Sequence, residues 1–223
     1  MQYESFFSVS SAAADRKLAT QADIAELMDA TTLSDVSDLD ALILQASDLI
    51  SLACGVPSAG VSIPTLRSET LIETFRRNKY RQTTLWPYRD YEFACSLFVS
   101  RYPVASITSI VEDGTTLTTD DYELRASEGR IVRLSNDAET PWAANKVVVT
   151  YVAGYSTVPE ALKLAAISLV KVKAAEMNGD ALLRSESFEG LGSATYFQPA
   201  STAGGGLPPD ISDMLTAFKY TRV

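Results

Sequence analysis

Histidine is absent from all 223 residues. Its absence removes the commonest general base and the commonest transition-metal ligand, and with them any Ser-His triad. Cysteine is scarce: Cys54 and Cys95 stand far apart and form no C-x-x-C, so neither a zinc site nor an iron–sulfur site is expected. Each reads more naturally as a small buried hydrophobe than as half of a disulfide, which suits a reducing compartment. Basic charge is also short, with a formal net charge of −9. A sequence-independent nucleic-acid binder needs a surplus of Lys and Arg, whereas an acidic wall lets DNA pass without sticking. No run approaches the ~18–20 apolar residues of a membrane span. The opening MQYESFFSVSSAAADRK lacks a basic n-region and an apolar core, so a secretory signal is not expected. Assembly in the cytoplasm and no membrane partner are the corresponding expectations.

Catalytic fingerprints are missing too. There is no GxxxxGK[ST], no GxGxxG, no GxSxG and no D-x-D-x-D-G calcium loop. Gly204–Gly206 follow no strand and open no helix, so they read as linker. The adjacent acids Glu112/Asp113 and Asp120/Asp121 lie at or beside turns. Neighbours on a strand point to opposite faces, so turn chemistry explains them better than a paired acid/base site does. No enzyme, cofactor or metal is expected.

What remains is an ordinary globular composition, 46% apolar and 21% charged. LATQADIAELMDA predicts a short helix capped by Thr20 with Asp23, its apolar face being Ile24, Leu27 and Met28. SDLDALILQASDLISLACGVP predicts a longer one, capped by Ser37 and stopped at Gly55, with Leu39, Leu42, Ile43, Ala46, Leu49, Ile50 and Ala53 inward. From about Ser62 the period changes to two. ETLIETFR, YEFACSLFVS, VASITSIVE, TTLTTDDYEL, GRIVRL and KVVVTYVA give about six strands, with Asp113-Gly114 as a two-residue hairpin turn. Between the first two lies RRNKYRQTTLWPYRDY. Its basic and aromatic mixture suits a loop docking on an acidic partner, nucleic acid, or plain solvent.

Helical spacing returns in TVPEALKLAAISLVKVKAAEMNG. Leu162, Ala165, Ala166, Leu169 and Val172 form one apolar side, while Leu164 and Ile167 fall on another. That suits burial in a larger core or contact with a second chain. Beyond Gly179, SFEGLGSATYFQPASTAGGGLPPD reads as an extended arm. PPDISDMLTAFKYTRV closes with a short apolar helix, tucked against its own domain or ordering on a partner.

The order of these parts resembles the head–tail connector (adaptor) proteins of tailed bacteriophages and of phage-like gene transfer particles. The residues that carry it are ASDLISLACGVP, RYPVASITSIVEDGTTLTTDDYEL, GRIVRL, TPWAANK, VVVTYVAGYSTVPEALKLAAISLV and LPPDISDMLTAFKYTRV. YVAGYSTVPEALKLAA is the most specific piece. The resemblance implies an α+β fold, a small helical bundle interrupted by an antiparallel β-rich insertion, with an extended C-terminal arm. The segments would be 1–61 (helical), 62–154 (β-rich), 155–180 (closing helix) and 181–223 (arm with a short terminal helix). It further implies a ring of copies, typically dodecameric, under the portal protein. The ring would extend the channel for double-stranded DNA, which passes without sequence-specific binding, and would offer a surface to a stopper or tail-completion protein. Portal-docking candidates are then Leu207, Ile211, Met214, Leu215, Phe218 and Tyr220. Subunit-interface candidates are Leu164, Ile167, Trp86, Tyr88 and Arg89. The alternatives are a stopper or tail-completion protein, or a β-rich module binding a glycan or peptide.

Overall fold

The computed structural model describes residues 3–27, 38–60, 62–77, 95–178, 185–188, 192–195 and 207–220. The chain divides into two units, Met1–Ala14 with Pro57–Ser156, and Asp15–Val56 with Thr157–Val223. Helices from both halves of the chain therefore share one unit, and a strand-rich segment is inserted between them. The fold is α+β.

In the β unit, strands β1 (Tyr3–Ser11), β2 (Glu69–Arg77), β3 (Ser96–Phe98), β4 (Val104–Glu112), β5 (Thr115–Thr116), β6 (Tyr122–Arg125), β7 (Arg130–Ser135), β8 (Ala138–Glu139) and β9 (Lys146–Ala153) form antiparallel sheets. One sheet has the order β1-β2-β9-β4-β5. The other has the order β3-β7-β6, with β8 added to β7. Period-two alternation is clearest in β9, where Val147, Val149, Tyr151 and Ala153 point inward. They join Leu71 and Phe75 of β2, Ile110 of β4, Leu97 of β3, Ile131 of β7 and Trp142 in one core. Each large apolar side chain buried there stabilises the unit by about 1.5–3 kcal/mol.

Two strands depart from expectation. The arm after Asp113-Gly114 does not return along β4. Both turn residues take positive φ (45° and 95°), as a tight hairpin turn requires. Yet β5 pairs only Thr115 and Thr116 with Glu112 and Val111. Thr118 and Asp121 then bond reciprocally, the chain makes a 3-10 turn at Thr119–Asp121, and β6 pairs with β7 in the other sheet. The long partner of β4 is β9. The second departure is β1. It lies in the stretch expected to be helical, but pairs antiparallel with β2 along its length. Tyr3, Phe7 and Val9 pack against the core, and the Tyr3 hydroxyl donates to the Ala144 carbonyl at 2.7 Å.

The helical unit contains α1 (Gln21–Leu27), α2 (Leu39–Ala53), α3 (Glu160–Asn178) and α4 (Pro209–Met214). Thr20 caps α1: its N–H and hydroxyl each donate to Asp23 Oδ2 at 2.7 Å. Ile24 is buried, but Leu27 is largely exposed rather than core-facing; Met28 lies outside the described residues. The cap of α2 is Asp38, whose Oδ1 accepts the Ala41 N–H at 3.0 Å, one residue after the expected Ser37. Leu42, Ile43, Ala46 and Ile50 face inward, and Gly55 ends the helix at φ 70°. α2 packs on α3, α4 packs on α3, and α1 touches both α2 and α3. Neighbours on several sides explain the wide apolar surface of α3, where Leu162, Ala165, Ala166, Ile167, Leu169, Val170 and Ala174 are all buried.

The C-terminal segment is not simply an extended arm. Leu207, Ile211 and Leu215 are buried in the helical unit, and the Tyr220 N–H donates to the Cys54 carbonyl at 2.8 Å. Upstream, β10 (Ser185–Phe188) and β11 (Gly192–Thr195) form a two-stranded antiparallel sheet.

Candidate interaction surfaces

β2 places Glu69 and Glu73 on the same strand face as Leu71 and Phe75, so both carboxylates enter the core of the β unit. Arg101 meets Glu69 there. Its Nη1 donates to Glu69 Oε2 and to the Thr65 carbonyl, and its Nε donates to the Pro57 carbonyl, each at 2.9 Å. Glu73 accepts from the Ser100 N–H (2.8 Å), the Ser100 hydroxyl (2.7 Å) and the Tyr151 hydroxyl (2.9 Å). Burial and the adjacent Glu73 carboxylate push the Tyr151 phenol far above its ordinary value. Arg101 Nε and Nη1 and the two carboxylates are engaged in these bonds, while Arg101 Nη2 is buried without a hydrogen-bond partner among the described residues. The cluster stitches the 57–65 segment, β2 and the 99–101 segment together, which makes it a structural pin. Sequence reasoning missed it, although acids in period-two register with Leu71 and Phe75 were the available signal.

A second cluster lies around the hairpin turn. The Asp113 carboxylate accepts the N–H groups of Asn145 (3.0 Å) and Lys146 (2.9 Å), which hold its carboxyl below the usual range. Hydrogen bonds from the Thr118 side chain and backbone do the same for Asp121. Arg133 gathers one acid from each adjacent pair, Glu112 at 3.2 Å and Asp121 at 3.3 Å, and its guanidinium lies 5.9 Å from the Trp142 ring centroid. Hydrogen bonds favour the ionised Asp113 and Asp121, and Arg133 pairs with Glu112 and Asp121, so these acids are fixed by turn and strand chemistry.

The expected docking residues separate into groups. Leu207, Ile211 and Leu215 are buried in their own unit, so their side chains are not available as free anchors; an apolar spacing reads the same whether a helix covers its own bundle or a partner. Met214 is exposed on the same short helix, and Phe218 and Tyr220 are half-buried. On α3, Leu164 is exposed, whereas Ile167 is buried and is withdrawn from any outward face. Trp86, Tyr88 and Arg89 lie outside the described residues. Exposed apolar side chains that the sequence did not single out include Phe6 on β1 and Phe98 on β3.

Cys54 and Cys95 are free and buried, and burial pushes the Cys54 thiol up to about 11. Among the described residues no cluster of three or more His, Cys, Asp or Glu side chains is placed to hold a metal ion. No helix among them is long and apolar enough to cross a membrane.

Residues 17–221 match the family model described as head completion protein. A search of curated proteins found no match. Among solved structures, the chain is similar to one from the virion of a native gene transfer agent (GTA) particle. That similarity has a TM-score of 0.55 at 16% identity and covers 97% of this chain and 96% of that one. It is also similar to a chain from the neck of an empty GTA particle computed with C6 symmetry, with a TM-score of 0.52 at 16% identity, covering 97% of each. At that identity the likeness is one of fold.

Proposed function

Because this chain belongs to the head completion protein family, we propose that it acts as an adaptor, a ring docked under the portal protein that extends the DNA channel and offers an attachment surface to the next head-completion or tail protein. Its role is structural, in a virion, and it is not an enzyme. The observation that carries the adaptor reading is the shared architecture: a bundle built from both halves of the chain, interrupted by a β unit, matching a neck chain of a GTA particle over 97% of both lengths. The C6 symmetry of that neck supports a ring of like copies. The net charge of −9 suits a channel that DNA slides past, since phosphates are repelled rather than bound.

Portal docking falls to the C-terminal part of the helical unit. Met214 is the exposed anchor, with the half-buried Phe218 and Tyr220 beside it in sequence. The buried Leu207, Ile211 and Leu215 hold α4 and its flanks on the helical unit. Met214→Glu in the full chain leaves the buried Leu207, Ile211 and Leu215 in place and tests this surface. It should weaken binding to the portal protein about tenfold or more, about 1.4 kcal/mol, with the melting temperature unchanged. Unaltered binding would remove this surface from the portal contact. In the β unit, the rigid β4–β5 turn held by Asp113 is the surface offered to the next ring.

A further inference from the structure

β1 is an edge strand of nine residues, paired with β2 on one side and with no strand on the other among the described residues. Natural edges of this length are usually blunted by lysine, proline or inward charge. Tyr3–Ser11 contains no lysine, arginine or proline, and its one charged residue is Glu4. A register shift between Val9 and Ser11 confines the regular edge to Tyr3–Val9. Phe6 stands 58% exposed on the outer sheet face, while Tyr3, Phe7 and Val9 are only partly covered at the rim of the core. Every second residue of this edge turns its N–H and C=O away from β2.

The same chain carries a separate, two-stranded sheet. β10 and β11, four residues each, pair with one another and with no third strand among the described residues. A two-stranded hairpin alone is marginal in water and gains stability from a third strand. β11 is Gly-Ser-Ala-Thr, small and uncharged, whereas β10 contains Glu186. β11 can lie beside β1 without setting an acid against Glu4.

We propose that the β10–β11 hairpin of one copy adds to the β1 edge of a second copy, with β11 next to β1, so that the five-stranded sheet is extended between subunits. The inference rests on the ring reading above and names its contact. Donor and acceptor are different surfaces of the same chain, so the contact is head-to-tail. Such contacts close into rings when the rotation permits, whereas a self-complementary contact stops at a dimer. Backbone pairing supplies affinity, as in strand addition generally.

The test is amide hydrogen exchange on the full chain as dilute monomer and as multimer, alone or on the portal protein. Every second amide of Tyr3–Val9 should exchange at least about tenfold more slowly in the multimer. Ser193→Pro, which removes a β11 N–H, should abolish that slowing and lower the multimer fraction. Phe6→Lys, a charge beside the edge, should lower the multimer fraction while the monomer keeps its melting temperature. Multimers with unchanged β1 exchange, equal protection in the monomer, or protection that survives Ser193→Pro would each overturn the inference and leave the ring reading standing. A wild-type chain that forms no multimer under either condition would overturn the ring reading, and this contact with it.

Discussion

Arg101 and Glu69 meet at 2.9 Å inside the β unit, with their side chains only 2% and 4% exposed. Because both charges are removed from water, breaking the pair leaves an uncompensated charge in the core, which costs about 3–5 kcal/mol. Arg101→Ala also frees the Pro57 and Thr65 carbonyls. It is expected to destabilise the chain by that amount or more in denaturant titration. Glu69→Gln keeps an acceptor for Arg101 and is expected to cost less than Arg101→Ala. A smaller loss for Arg101→Ala would contradict the pin.

Gly154 and Gly114 have nearly the same φ, 96° and 95°, in different surroundings. A Cβ on Gly154 would press on the Arg67 carbonyl and stand 2.9 Å from the Leu66 oxygen, whereas at Gly114 it would meet open space. Gly114→Ala should therefore cost only the left-handed backbone penalty, about 1–2 kcal/mol. Gly154→Ala adds a clash with backbone that cannot rotate away, and should cost more. This contact gives a physical reason for glycine in the YVAGYS strand exit. Thermal melts of the two variants test the order.

Acid sensitivity should trace in part to Asp113 and Asp121. Hydrogen bonds lower both carboxyls from an ordinary value of 3.8 in the folded chain. Their contribution to stability is therefore present above that value and is lost as pH falls through the lower folded pKa. Asp113→Asn, which tolerates the positive φ at that position, should flatten the fall of melting temperature below about pH 4. An acid limb as steep as wild type would show that the carboxylate is not engaged.

The thiols should be silent until the fold opens. Cys54 is buried with its thiol pushed up to about 11, and Cys95 is buried with its thiol also raised. At pH 8 a thiol reagent should find little thiolate on the native chain, and both cysteines should react after denaturation. Rapid labelling of either in the native state would contradict the burial described.

Much of this was legible in the residues because it was local. The strand VASITSIVE is β4 from Val104 to Glu112, and Asp113-Gly114 is its turn. The return arm was misread because TTLTTDDYEL keeps β-prone composition through the point where the Thr118–Asp121 bonds turn it into another sheet. β1 escaped notice because its apolar residues, Phe6, Phe7 and Val9, are too few among serines to establish a period. Distant partners were the least visible. Arg101 and Glu69 look like surface residues until the fold brings them together, and the spacing of Leu207, Ile211 and Leu215 does not say which helix they cover. Trp86, Tyr88 and Arg89 lie outside the described residues, so their proposed interface role rests on sequence alone.

The central claim is the adaptor position, and a cryo-electron microscopy reconstruction of the particle neck tests it most directly. The account predicts a closed ring of this chain in direct contact with the portal protein, with the Met214 side of the helical unit toward the portal and the Asp113 turn toward the next ring. Density for this chain separated from the portal by another ring would assign it to the stopper position and contradict the account.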